Sequence, residues 1–405
     1  MSVRTGPRRL YMDNAATSFP KPMAVGEAMK DYAERLGASA GRGAYAEALE
    51  TGQIIDRCRR DVTTLIGADS PVHVIFTLNC SDALNMAIKG MLDPRPTSTQ
   101  HVVCTETDHN SILRPVEALA ANGVVERTHV PADDNGIVDP DDIRKAIRRD
   151  TKLVCITHVS NVTGAIQPVG EIGRVCREAA VPFVVDAAPS SGPLPIDGDA
   201  HCIDRLCAPG HKGLLGPLGT GFLHLRPGLE KMLRTIKEGG TGSRSEDAVQ
   251  PDELPDKYEP GSHNAIGIAG LGAGVRYVLD RGIDDLAAHE ASLVKTFVGA
   301  LCGVEGMCYA GPQGIADRIG VFSVDVAGYS PHELAAVLEN DYGILTRPGI
   351  HCAPFVHRAL DTVEQGGLCR LSFGPFLGNP DVKFAADALA ELALENVSLE
   401  QPLQQ

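Results

Sequence analysis

Val181-Pro182-Phe183-Val184-Val185-Asp186 is an apolar run that stops on a carboxylate, and farther along Ala208-Pro209-Gly210-His211-Lys212-Gly213 sets a lysine among glycines. So apolar a run predicts a strand buried on both faces, as in a parallel sheet covered by helices. In open sheets of that kind ligands bind beyond the C-terminal ends of the strands, which is where Asp186 falls. A buried acid needs a cationic partner. A pyridinium nitrogen is one such partner, and a lysine that loses its proton in a dry site can condense with an aldehyde. Pyridoxal 5'-phosphate carries both groups, so the two residues together point to it.

Working outward, apolar runs recur at 73–77, 101–105, 153–157, 182–186, 206–208 and 221–225, with helical patterns at 81–89, 140–148 and 169–180 between them. This alternation predicts right-handed crossovers and a largely parallel, doubly wound α/β sheet. Near Gly240 the texture changes to a polar loop that runs to about Asn264, too long for a plain connection and therefore expected to be functional. A helix from Ala265 to about Leu279 then links to an α+β lobe with strands near 320–326 and 368–373. In that lobe Ser330-Pro331-His332-Glu333 reads as a capping box with proline in the first turn.

The chain has 405 residues, which favours two lobes over a single core. Its 37 basic and 52 acidic residues leave a formal charge of −15, which argues against nucleic acid as a partner. No stretch reaches the length of a membrane span, and the first nine residues lack an apolar signal region, so a cytoplasmic location is expected. The eleven cysteines show no metal-type spacing and are odd in number. They read as reduced and mostly buried, with no metal site expected.

Several other stretches place polar groups at the same sheet edge. Ile75 to Asn85 is a strand, a polar turn and a helix start, where free N–H groups and the Ser81 hydroxyl can bind an anion, although Ser81 could equally be a plain helix cap. His109 follows the strand 101–105 and could stack on a ring and shuttle protons; a structural histidine is the commoner case. The cluster 158–164 adds Ser160 and Asn161. Cys352 lies in a Gly/Pro-shaped loop beside His351 and near Arg347, where positive charge favours the thiolate. Arg370, inside an apolar strand, is either paired with a protein carboxylate or held for a ligand's carboxylate.

These motifs, in order, resemble those of the cysteine desulfurase and selenocysteine lyase family of class V aminotransferase-fold enzymes. The likeness runs through DNAATSFPKP (13–22), TETDHNS (105–111), HVSNVTG (158–164), VVDAAPSSG (184–192), GHKGLLGPLGTG (210–221), GGTGS (239–243), RPGIHCAP (347–354) and CRLSFGPF (369–376), nearly the whole chain. It implies the fold type I architecture of pyridoxal-phosphate enzymes: a large domain over 16–264 with a mainly parallel seven-stranded sheet, and a small α+β domain from 1–15 and 265–405. It further implies Lys212 as the lysine that binds the cofactor aldehyde, Asp186 as partner of the ring nitrogen and His109 as the stacking residue. Phosphate contacts are implied for Cys80, Ser81 and His211, with Thr241 reaching the phosphate of the other subunit of a homodimer. Asn161 and Asn14 would lie near the substrate, Arg370 would hold its carboxylate, and Cys352 would accept the sulfur.

The implied reaction is L-cysteine to L-alanine with a persulfide left on Cys352. Selenocysteine lyase on L-selenocysteine, and a C–S β-lyase or aminotransferase on the same fold, are the alternatives, with a non-catalytic dimer as a rival of another class. In two places the chain departs from the pattern, with Pro189 where glutamine is usual and Pro209 where serine or threonine is usual, Ser190 being a substitute donor. The short loop around Cys352 resembles the second subgroup of desulfurases, which implies a docking protein as sulfur acceptor.

Overall fold

The computed structural model describes residues 9–400, with side chains through residue 395. The first eight residues and the last five of the expected small domain therefore lie outside the described residues. The strands are β1 Leu10–Tyr11, β2 Val74–Thr77, β3 His101–Thr105, β4 Glu126–Val130, β5 Thr151–Thr157, β6 Phe183–Asp186, β7 Arg205–Pro209, β8 Gly221–Leu225, β9 Met307–Tyr309, β10 Val321–Val326, β11 Ile344–Leu345, β12 Arg347–Gly349 and β13 Leu368–Ser372.

Seven of them form one sheet in the order β2-β8-β7-β6-β5-β3-β4, in which only β8 runs against its neighbours. The runs that read as doubly buried strands are so. On β5, Val154 and Ile156 enter one core while Leu153 and Cys155 enter the other, and Phe183 and Val184 divide in the same way on β6. Strand β4 escaped the apolar pattern because it is the sheet edge, with Glu126 and Arg127 exposed and only Val130 buried.

The helices fall close to their expected places, at Cys80–Lys89, Pro140–Ala146, Val169–Glu178 and Ala265–Arg281. The last of these seats Ala265, Ile268, Leu271, Val275 and Val278 in the first core. The capping box at Ser330 is present in both directions. A four-stranded antiparallel sheet, β12-β13-β10-β9, carries the C-terminal lobe, whose core gathers Phe297, Phe322 and Phe373 around ring contacts of 4.4 to 5.6 Å. Chain ends meet there: β1 pairs in parallel with β11, and Leu10 and Met12 pack into this core.

All eleven cysteines are free, eight of them buried, with Cys302 and Cys308 exposed and Cys352 in between. Among the described residues no helix is long and apolar enough to cross a membrane.

Candidate active site

Four neighbouring strands deliver the site from their C-terminal ends. Asp186 closes β6, the turn carrying Lys212 follows β7, Asn161 follows β5 and His109 follows β3. Cys80, Ser81, His109, Asn161, Asp186, His211 and Lys212 line one cavity of about 320 Å³, with Pro189 and Pro209 in the same wall.

Asp186 is 1% exposed. Its Oδ1 accepts the Ala188 N–H at 2.9 Å and the Cys80 thiol at 3.3 Å. Burial pushes the Asp186 carboxyl up, against the pull of the Ala188 N–H and the Lys212 charge. The same loss of water pushes the Lys212 amine down, Asp186 opposing it and Arg370 adding to it. A lysine whose burial favours the neutral amine, beside a buried acid, is what imine chemistry requires.

The Lys212 turn is held by its backbone. Ser18 Oγ donates to the Lys212 carbonyl at 2.8 Å, and Lys21 Nζ donates to the His211 carbonyl at 2.8 Å. Only glycine fits at 213, because a Cβ there would lie 2.1 Å from the Ser191 carbonyl. The DNAATSFPKP segment, which the sequence offered as a motif without a mechanical role, thus supports the lysine turn through Ser18 and Lys21.

Ser81 does not cap its helix. Asn79 does, its side chain accepting the Asp82 N–H at 2.9 Å, while Ser81 Oγ meets Ser111 Oγ at 2.7 Å. This leaves the Cys80 and Ser81 N–H groups in a first turn that has no internal acceptor for them. The Cys80 thiol itself turns to Asp186, and burial holds it protonated. His109 caps the helix Asn110–Ala121, its Nδ1 accepting the Ser111 N–H at 3.1 Å. Burial, with Lys212 and three arginines around it, pushes the His109 imidazole down to about 3.

Cys352 comes from the other lobe and docks beside His109, its carbonyl accepting the Asn110 N–H at 2.8 Å. His351 and Cys352 have positive φ angles of 53° and 60°, and Asn161 Nδ2 donates to the His351 carbonyl at 2.6 Å. Arg347 Nη2 stands 3.9 Å from Cys352 Sγ, a neighbour visible in the sequence only as part of the loop motif.

Arg370, 1% exposed, gives Nη2 to Asp13 Oδ1 at 2.7 Å and Nη1 to the Asn161 carbonyl at 3.2 Å, leaving Nε without a partner. It is not among the residues that line the cavity. Asn14 faces a smaller hollow on the far side of Lys212. Thr241 is half-buried and bonded to Ser243, outside the cavity of its own chain, and Ser190 is fully buried, also outside it.

The residues present fit pyridoxal 5'-phosphate. Besides Asp186 and Lys212, the cavity wall holds two buried polar atoms with no partner, Asn161 Oδ1 and His211 Nδ1, and the open N–H groups of Cys80 and Ser81 suit an anion.

The sequence pattern of the family described as aminotransferase class-V matches residues 10–384. A probable cysteine desulfurase of Methanothermobacter thermautotrophicus is 34% identical, over 95% of this chain and 94% of its own length. One from Pyrococcus abyssi is 33% identical over 95% and 94%. The solved structure of a cysteine desulfurase from Thermococcus onnurineus superposes with a TM-score of 0.89 at 32% identity, covering 96% of this chain and 95% of that one. Fold, motif order and relatives agree: the chain belongs to the class V aminotransferase family, in its cysteine desulfurase branch.

Proposed function

We propose that the protein is a pyridoxal 5'-phosphate-dependent cysteine desulfurase that converts L-cysteine to L-alanine and keeps the sulfur as a persulfide on Cys352. The observation that carries this reading is the docking of the Cys352 carbonyl on the Asn110 N–H, beside His109, at the cavity shared by Lys212 and Asp186. A thiol brought from one lobe to the imine-forming lysine of the other has no use in an ordinary aminotransferase.

Lys212 would hold the cofactor, Asp186 its ring nitrogen, and Ser81, His211 and the Cys80 and Ser81 N–H groups its phosphate, with His109 over the ring. When bound, the cofactor supplies an electron sink for bonds at the substrate Cα. Lys212 Nζ, whose burial favours the neutral amine, takes the Cα proton. Arg370 and Asn161, with Asn14 nearby, hold and orient the substrate. Cys352 Sγ attacks the substrate sulfur: an S–S bond forms, the C–S bond breaks, the carbon skeleton takes up one proton at Cβ, Lys212 returns the other to Cα, and the product leaves as alanine. Arg347 Nη2 stands 3.9 Å from the sulfur that makes that attack.

In this reading the lobes are 16–264 and 1–15 with 265–405, joined by the helix Ala265–Arg281. The protein acts in the cytoplasm as a homodimer in which Thr241 serves the partner's phosphate, and it hands its sulfur to an acceptor protein. The test is to incubate the loaded protein with L-cysteine and assay alanine, pyruvate and persulfide. Alanine with a persulfide at Cys352 is expected, and Cys352→Ser should abolish the persulfide while the visible absorbance of the bound cofactor stays. Pyruvate, ammonia and free sulfide, or full sulfur transfer by Cys352→Ser, would overturn the reading.

A further inference from the structure

The stretch 13–18 touches both ends of the substrate site. At one end Asp13 Oδ1 accepts Arg370 Nη2 at 2.7 Å; at the other, Ser18 Oγ donates to the Lys212 carbonyl at 2.8 Å. Asp13 is itself braced, its carbonyl accepting the Tyr11 hydroxyl at 3.0 Å and its backbone bridging to Ser372. Arg370 sits in β13 between Ser323 of β10 and Arg347 of β12, so its backbone is held by a strand on each side. Asp13 and the Asn161 carbonyl engage its two terminal nitrogens, and only the Nε edge is left without a partner.

An α-amino acid carries its amine and carboxylate on one carbon. The spacing between the group that reacts with the amine and the group that reads the carboxylate therefore decides which amines are accepted. Here one short segment sets that spacing. A guanidinium buried to this degree would also be uncompensated without a carboxylate beside it.

We infer that Asp13 is a positioning residue: it turns Arg370 so that one free edge reads the α-carboxylate, and so makes the enzyme select α-amino acids over amines lacking that group. This rests on the proposed role of Arg370. Asp13 touches no substrate itself.

The experiment compares L-cysteine with cysteamine, which keeps the thiol and amine but lacks the carboxylate, using holoenzyme and following binding by the change in visible absorbance. Losing one hydrogen bond to a charged group predicts that Asp13→Ala weakens L-cysteine binding about ten- to a hundredfold. KM should rise by that factor with kcat less affected, and cysteamine binding should change by no more than about twofold. Asp13→Asn, which keeps a neutral acceptor, should fall between parent and Ala, and it carries the test if Asp13→Ala does not fold. Equal losses for both ligands, or none for L-cysteine, overturn the inference. Arg370→Lys separates the two levels. If it too weakens both ligands equally, the reading of Arg370 is at fault; if it is selective and the Asp13 variants are not, the positioning role alone falls.

Discussion

The ion pair of Arg59 and Glu259 offers a closed thermodynamic test. Both side chains are almost fully buried, and the contact is two-pronged, at 2.7 and 2.8 Å. Glu259 also accepts the Phe76 N–H on β2 at 2.5 Å and His263 Nε2 at 2.7 Å, and Arg59 donates to the Val74 carbonyl. The pair thus joins the helix Ala46–Leu65 and the long polar segment to the strand that leads into the Asn79–Cys80 turn. Removing one partner leaves the other charge buried and alone, at a cost of about 3–5 kcal/mol, so Arg59→Met and Glu259→Leu should each lose that much. The double variant buries no ion pair; it leaves the buried Phe76 N–H and Val74 carbonyl unmet, about 1–3 kcal/mol for each group, and frees His263 Nε2, whose side chain is 21% exposed and can turn to water. It should therefore lose about 2–6 kcal/mol, short of the roughly 6–10 kcal/mol to which the two single losses add. Urea unfolding near neutral pH, with the m-value checked for constancy, reads all three differences. A double variant that loses the sum of the two single losses would refute the reasoning, because the residues would then be acting independently.

Two further outcomes follow from the site. Gly213→Ala should displace the Lys212 turn, since the new Cβ meets the Ser191 carbonyl and Pro193 Cδ; the cost is about 1–3 kcal/mol of overpacking, and cofactor absorbance should fall while far-UV circular dichroism stays. His109 is held near 3 in the fold, against about 6.5 when unfolded. The unfolded chain therefore takes the proton first, so the stability advantage of the parent over His109→Gln is complete above about 6.5 and shrinks as pH falls toward 3; a gap constant from about pH 7 down to 5 contradicts the burial argument.

Much of the scaffold was legible because burial on both faces of a parallel strand leaves a continuous apolar run, as at 153–157 and 183–186. Lys212 and Asp186 were legible for the opposite reason, as charges where the apolar pattern has no place for them. The edge strand Glu126–Val130 was not, since exposure leaves no such mark on its residues. Of the two readings that the sequence left open for Ser81, the cap falls away, because Asn79, two positions earlier, accepts the Asp82 N–H instead.

The sequence by itself determined the sheet, the lysine with its acid, and the candidate thiol, all of which rest on residue types and on neighbours a few positions apart. Only the tertiary structure decided that Arg370 is paired with Asp13 across 357 positions, that Ser18 supports the Lys212 turn, and that Cys352 rests against Asn110. Such contacts join opposite ends of the chain and both lobes. Their energy comes from burial and hydrogen bonds that exist only once those lobes have closed on each other, so no local pattern encodes them.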